Sequence, residues 1–218
     1  MSSSKKDTVT KDYMKNTTAF ADAFNGSVFH GEQIIDPKRL QLADSTQTAI
    51  LYNDVHLAAI QKYRDLLKQA VIMRDDNAAY LMLGIENQSD IHYAMPVRNM
   101  LYDSLSYVEQ IKALWKDKKN DKVTPEEYLS KFCKEDRLVP VIIIVMYYGL
   151  EEWDASQDLY GMFQLNERLQ NNQTFQQYIS NYRINLVDVG NLEDIEKFRT
   201  DLQIVFGMLH YRGNTEKL

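Results

Sequence analysis

The chain has 218 residues, enough for one domain that buries its own hydrophobic core. Its formal net charge of -6 argues against a protein that coats nucleic acid non-specifically, because that mode of binding depends on neutralising many phosphates. A single cysteine excludes an internal disulfide, and no apolar run is long enough to span a bilayer, so we expect a cytoplasmic protein without a membrane segment.

The N-terminal part combines a polar leader with a predicted helix. Residues 1–10 have no apolar period and are expected to be disordered. Apolar side chains at helical spacing predict a helix from Lys11 to about Asn25. Residues 26–48 mix turn formers with short apolar pieces and are assigned to loop. We expect residues 11–218 to form one domain.

A β-hairpin is predicted from Tyr63 onwards. Two apolar runs, YRDLLKQAVIM and AAYLMLGIENQ, are separated by turn-forming residues. If the hairpin is symmetric about Asp75 and Asp76, each residue before the turn pairs with the residue equally far after it, which places Asp65 opposite Glu86. The other face of this hairpin is apolar and should hold the register; it comprises Leu66, Ala70, Ile72, Leu81, Leu83 and Ile85.

Helices and strands alternate after the hairpin. Pro96 opens a predicted helix that ends in the charged residues 116–122. Residues 139–148 are uncharged and rich in β-branched side chains, which is typical of a strand buried on both faces, and residues 184–189 predict another strand. Asn191 is the predicted cap of a long C-terminal helix. This order predicts a mixed α/β domain with a small sheet flanked by helices.

Three polar side chains of the hairpin form a candidate metal site. Period-two alternation places Glu86 and Gln88 on one face, and the register adds Asp65. Directly opposed residues have β-carbons roughly 4.5 to 5.5 Å apart, so the two carboxylates repel each other unless a proton or a cation lies between them. Mg²⁺ is usually bound by one or two carboxylates with water and phosphate. We therefore predict that Asp65 and Glu86 hold the metal and that Gln88 orients a water or a phosphate oxygen.

These residues carry a family resemblance. An Asp followed by E-x-K on the next strand is the PD-(D/E)xK nuclease pattern, which Asp65, Glu86 and Gln88 resemble with Gln in place of Lys. The segments YRDLLK, YLMLGIENQSDIHYAMPVRNMLYD and VPVIIIVMYYGLEEWD, in that order, resemble the recombination-promoting nuclease family, also labelled YhgA-like putative transposases. The similarity extends over roughly residues 11–212.

The resemblance implies a fold and an activity. It implies a restriction-endonuclease-like core with Mg²⁺-dependent DNA cleavage in a recombination or mobile-element setting, with Mn²⁺ or Ca²⁺ as the alternative ions of the site. It implies that Arg98 and Tyr102, the R-x-x-x-Y of the following helix, face the site and bind nucleic acid. It also implies an acidic ligand from the first helix, for which Asp22 is the candidate.

Gln88 departs from the nuclease pattern because it cannot carry the positive charge of a lysine. Lys62 and Lys68 point to the opposite strand face from Asp65, so neither is an easy substitute. The alternative to an Mg²⁺-dependent endodeoxyribonuclease is therefore an inactive nuclease-fold module that binds DNA or a protein partner. We expect DNA as the partner and leave a homodimer open. An all-helical interaction protein is a third hypothesis, which requires the predicted strands to be absent.

Four of the candidates also have a simpler interpretation. Gln88 could be a solvated strand end, Arg98 and Tyr102 a helix-surface pair, and Asp22 a surface residue. The four histidines have no metal-binding spacing and are given no role.

Overall fold

A mixed β-sheet lies at the centre of the computed structural model, which describes residues 12–42, 66–74, 77–118 and 122–211. Within these ranges five strands lie side by side in chain order: β1 (Gln41–Leu42), β2 (Leu66–Arg74), β3 (Asn77–Gln88), β4 (Val141–Tyr147) and β5 (Asn185–Asp188). β2 pairs antiparallel with β1 and β3, whereas β3, β4 and β5 run parallel. The mixed α/β prediction is confirmed, and the all-helical hypothesis is wrong.

Helices precede and follow the strands. They are α1 (Thr17–Ser27), α2 (Met95–Asp117), α3 (Pro125–Ser130), α4 (Glu167–Gln170), α5 (Gln173–Gln176) and α6 (Leu202–Tyr211). Short 3-10 turns occupy Pro37–Arg39, Tyr160–Met162, Val189–Asn191 and Ile195–Lys197. None of these described helices has the length and apolar character that a membrane crossing requires.

The β2–β3 hairpin has the register that its symmetry predicts. Leu66 pairs with Ile85, Arg74 pairs with Asn77, and every pair between them keeps the same offset. Asp65, the residue before β2, lies outside the described residues, so its place opposite Glu86 stays a prediction. Residues 1–10, which were expected to be disordered, also lie outside them.

The two faces of the sheet pack against different helices. Alternation along β3 and β4 sends Leu83 and Ile144 to one face and Glu86 and Val145 to the other. The first face packs on α1 and α6, in a core that includes Phe20, Phe24, Ile85, Met146, Val187, Leu202 and Phe206. The second face forms a smaller core with the start of α2, comprising Met95, Val145, Tyr147, Trp153, Ala155 and Ile184.

The two central predictions after the hairpin are confirmed. α2 begins at Met95 with Pro96 in its first turn, where the missing proline N–H leaves no hydrogen bond unmade. β4 is buried from Ile143 to Tyr147, as expected for an uncharged strand with neighbours on both sides and both faces.

The predicted first helix is interrupted near its start: residues 12–14 are helical, and a turn at residue 15 and a bend at residue 16 separate them from α1. α1 starts at Thr17 because Asn16 adopts an extended conformation and its side chain accepts hydrogen bonds from the amides of Thr18 (2.8 Å) and Ala19 (3.3 Å). The predicted loop 26–48 also contains a 3-10 turn and β1.

The predicted helix from Asn191 is wrong in its first half. Asp188 accepts a hydrogen bond from the amide of Gly190 at 3.1 Å and starts a short 3-10 turn instead. α6 begins only at Leu202, whose amide donates to the hydroxyl of Thr200 at 3.3 Å. Side-chain acceptors thus divide an apolar stretch that sequence periodicity presents as continuous.

Candidate functional site

Glu86 is a buried carboxylate near the end of β3. It pairs with Val145 of β4, and only 1% of its surface is exposed. The guanidinium of Arg98, from the first turns of α2, donates a hydrogen bond through Nη2 to its Oε1. A charge so far removed from water requires such compensation, because an isolated ionised carboxylate is strongly disfavoured in a protein interior.

Tyr102 lies one turn beyond Arg98 and contacts the same guanidinium. Arg98 Nε donates to the Tyr102 hydroxyl at 3.3 Å, and Arg98 Cζ lies 5.6 Å from the centre of the ring. Residues four apart on a helix are neighbours on one face. Tyr102 is 8% exposed, which does not fit a helix-surface pair. The structure therefore places Arg98 beside Glu86 and Tyr102 beside Arg98.

Gln88 ends β3 on the same face as Glu86. Its carbonyl accepts a hydrogen bond from the amide of Tyr148 at 2.9 Å, which ties the strand end to β4. Asn87, between them, points to the other face and accepts from the Tyr148 hydroxyl at 2.8 Å. Gln88 is half-buried, so it is not a fully solvated strand end.

His92 is a neighbour of Arg98 that no sequence spacing identifies. It lies in the turn between β3 and α2, and its carbonyl accepts from the amide of Met95 at 3.0 Å. Burial, and then the positive charge of Arg98, lower the pKa of His92 below its usual value. Both effects favour the neutral form of the imidazole beside the guanidinium.

Asn99 is a buried amide on the side of α2 that carries Met95 and Tyr102. It is 1% exposed, and neither side-chain polar atom has a hydrogen-bond partner within the part of the chain that the structure describes. Since buried polar groups are nearly always bonded, an ordered water or a ligand is the expected partner. A lone Asn on an otherwise apolar stripe is the sequence feature that could have identified it.

Asp22 has a structural partner set. Its carboxylate is 3% exposed and accepts from the amide of Arg199 (2.9 and 3.0 Å) and from the amide (2.8 Å) and hydroxyl (2.6 Å) of Thr200. These bonds join α1 to the start of α6, and none of them leads to Glu86. Asp22 is therefore buried rather than a surface residue, and its role as a metal ligand stays a prediction.

Glu86 is one suitable oxygen ligand for a hard cation such as Mg²⁺, but a metal site needs further ligands. Among the residues that the structure describes, no group of three or more His, Cys, Asp or Glu side chains could hold a metal ion. A carboxylate shielded from bulk water suits Mg²⁺, because this ion takes oxygen ligands and needs only one or two carboxylates beside water and phosphate. The predicted second carboxylate, Asp65, lies outside the described residues.

One comparison with known proteins gives a match. The chain matches the model of the family described as "Putative transposase, YhgA-like" over residues 6–214. No curated protein and no solved structure matches it.

Proposed function

Because this chain belongs to the family of YhgA-like putative transposases, we propose that it is a metal-dependent DNA endonuclease with a restriction-endonuclease-like core. The match covers residues 6–214 and agrees with the family that the sequence motifs resemble. The family's description indicates a mobile-element role and DNA as the partner. The single cysteine, Cys133, supports a cytoplasmic location.

The buried ion pair between Glu86 and Arg98 is the observation that carries this proposal. Such pairs contribute little to stability, because the cost of removing two charges from water offsets their attraction, and apolar replacements are often neutral or stabilising. Charged groups held in a water-excluded position are frequent at functional sites. The pair lies at the end of the hairpin where the confirmed register approaches Asp65.

The topology supports the proposed core. A helix (α1) precedes an antiparallel hairpin (β2 and β3), and a second helix (α2) leads to β4, which is parallel to β3. Glu86 and Gln88 come from β3, and Arg98 and Tyr102 come from α2, so a strand and a helix position these four side chains.

The proposed mechanism assigns one task to each side chain. Asp65 and Glu86 would hold Mg²⁺, which would supply a more acidic water and a positive charge for the phosphodiester. The Gln88 amide orients the attacking water or a phosphate oxygen. Arg98 and Tyr102 hold the phosphodiester by hydrogen bonds, and the burial of Glu86 keeps bulk water from its carboxylate.

Plasmid nicking tests this proposal. Purified protein is incubated with supercoiled DNA in Mg²⁺, Mn²⁺, Ca²⁺ or EDTA, beside Glu86→Gln and the control Glu109→Gln. Glu109 is also ion-paired, with Lys112 at 2.8 Å, but lies more than three helical turns beyond Arg98 on α2. We expect cleavage that needs metal, disappears in Glu86→Gln and persists in Glu109→Gln.

An inactive nuclease-fold module is the alternative, favoured by the uncharged Gln88. It predicts DNA binding without cleavage in any metal. Cleavage that persists in EDTA would contradict both the metal-dependent mechanism and the inactive module.

A further inference from the structure

We propose that Arg98 exchanges partners when metal binds: without metal its guanidinium holds Glu86, and with metal at Glu86 it turns to a phosphate of DNA. This inference rests on the proposed function and adds a coupling between metal binding and DNA binding. It also assigns Arg98 the positive charge that Gln88 lacks.

Arg98 places a positive charge beside Glu86, where the nuclease pattern has a lysine. Gln88 occupies the strand position of the lysine in the E-x-K pattern, on the same face as Glu86. Arg98 brings a guanidinium to that face from α2 and donates to Oε1 of Glu86. A permanent cation therefore lies beside the carboxylate, supplied by a helix rather than by the strand.

A divalent cation and the Arg98 guanidinium would compete for the Glu86 carboxylate. A divalent cation bound by Glu86 attracts the same oxygens as the Arg98 guanidinium and repels the guanidinium itself. These effects are strong at a carboxylate with 1% exposure, since a low local dielectric strengthens every charge interaction. Metal binding therefore weakens the Arg98–Glu86 ion pair.

The Arg98 guanidinium has access to a phosphate bound at the surface. The Arg98 side chain is 21% exposed, whereas that of Glu86 is 2% exposed, so Arg98 is the partner with access to a bound ligand. A guanidinium presents a planar fork of donors that matches two phosphate oxygens. Arg98 Nε donates to the Tyr102 hydroxyl at 3.3 Å. This contact does not involve Glu86, so it can anchor the Arg98 side chain while Nη2 changes its partner.

Reciprocal coupling follows from this exchange. If metal frees Arg98 for phosphate, phosphate that captures Arg98 must favour metal at Glu86 by the same factor. The proposed site would then bind metal and phosphate cooperatively. In the absence of both ligands, the Arg98–Glu86 ion pair would occupy the site.

Mn²⁺ titration by calorimetry tests the competition. We compare the wild-type protein with Glu86→Gln, with two neutral variants, Arg98→Gln and Arg98→Met, and with Arg39→Gln. Arg39 is the matched control, because it also pairs with a carboxylate, Asp36, at 3.6 Å, but half-exposed. Circular dichroism verifies folding, and the second neutral variant serves if the first does not fold.

Both neutral variants should bind Mn²⁺ about tenfold more tightly than the wild type, within the usual range of coupling between sites. Arg39→Gln should bind as the wild type does, and Glu86→Gln should lose the site. Binding of a labelled DNA duplex, measured by fluorescence anisotropy in Ca²⁺ or EDTA, should tighten about tenfold with Ca²⁺ in the wild type and in Arg39→Gln, but not in the Arg98 variants or in Glu86→Gln.

The possible failures are distinguishable. If the wild type binds no Mn²⁺, the proposed metal site and the exchange of Arg98 are both wrong. If Mn²⁺ binds at Glu86 with the same affinity in the Arg98 variants, or Ca²⁺ tightens DNA binding equally in them, only the exchange is wrong.

Discussion

Replacement of Asp22 by alanine should destabilise the fold without changing the proposed site. The Asp22 carboxylate is buried in the contact between α1 and α6 and accepts from two backbone amides and one hydroxyl. In Asp22→Ala the amides of Arg199 and Thr200 lose a charged acceptor that is itself 3% exposed. The hydroxyl of Thr200 can rotate to another partner, so the two amides dominate the loss.

The expected loss follows from these two amides. A buried donor left without a partner costs about 1–3 kcal/mol, and bonds to a charged acceptor are at the stronger end. Asp22→Ala should therefore lower the free energy of unfolding by about 3 kcal/mol. For a domain of this size that corresponds to a fall in Tm of about 6–12 °C. Asp22→Asn keeps one acceptor oxygen and should lose about half as much.

Urea denaturation with Mn²⁺ titration of the folded variants measures both roles of Asp22. The control is Asp12→Ala, whose carboxylate forms an exposed ion pair with Lys15 at 2.6 Å and should change stability by less than about 0.5 kcal/mol. A loss below about 1 kcal/mol in Asp22→Ala would refute the structural role. Weakened Mn²⁺ binding by folded Asp22→Asn would instead support the ligand role that the family resemblance implies.

Two further stability predictions concern other parts of the chain. In Gly149→Ala the new methyl group would overlap the ring of Tyr147, which is 1% exposed, so we expect a loss of about 1–3 kcal/mol by urea denaturation; an unchanged midpoint would contradict this packing. The Lys118 ammonium, and then the Cys133 amide, lower the pKa of the Asp136 carboxyl. Because the unfolded carboxyl takes up its proton first, this stabilisation is complete above about pH 4 and is lost as the pH falls through the lowered folded pKa. Stability of Asp136→Asn should thus decline less steeply than that of the wild type below about pH 4, and equal slopes would contradict the ion pair.

The hairpin could be predicted from sequence because its information is local. The sequence symmetry about residues 75 and 76 and the apolar alternation that includes Leu83 and Ile85 each predict one register, and both agree with the observed strand pairing. The start of α2 and the buried strand β4 were equally accessible, since a proline and an uncharged β-branched run act within a few residues.

The contacts of the candidate site depend on tertiary structure. The ion pair between Glu86 and Arg98 depends on how the turn after β3 places α2 over the sheet, which no spacing rule gives. The division of the C-terminal helix has a similar cause. Asp22, far away in the sequence, binds the amides of Arg199 and Thr200 just before α6 begins.

Cleavage of supercoiled plasmid by Asp65→Asn, by Glu86→Gln and by the double variant tests the central claim most directly. If both carboxylates hold one metal, each single variant should reduce Mg²⁺-dependent nicking more than about a hundredfold, beyond the usual effect of groups that only support a ligand. The double variant should be no slower than the slower single one, because residues that act as a unit are not additive. No cleavage by the wild type in Mg²⁺ or Mn²⁺, or an unchanged rate in either single variant, would contradict the proposed active site.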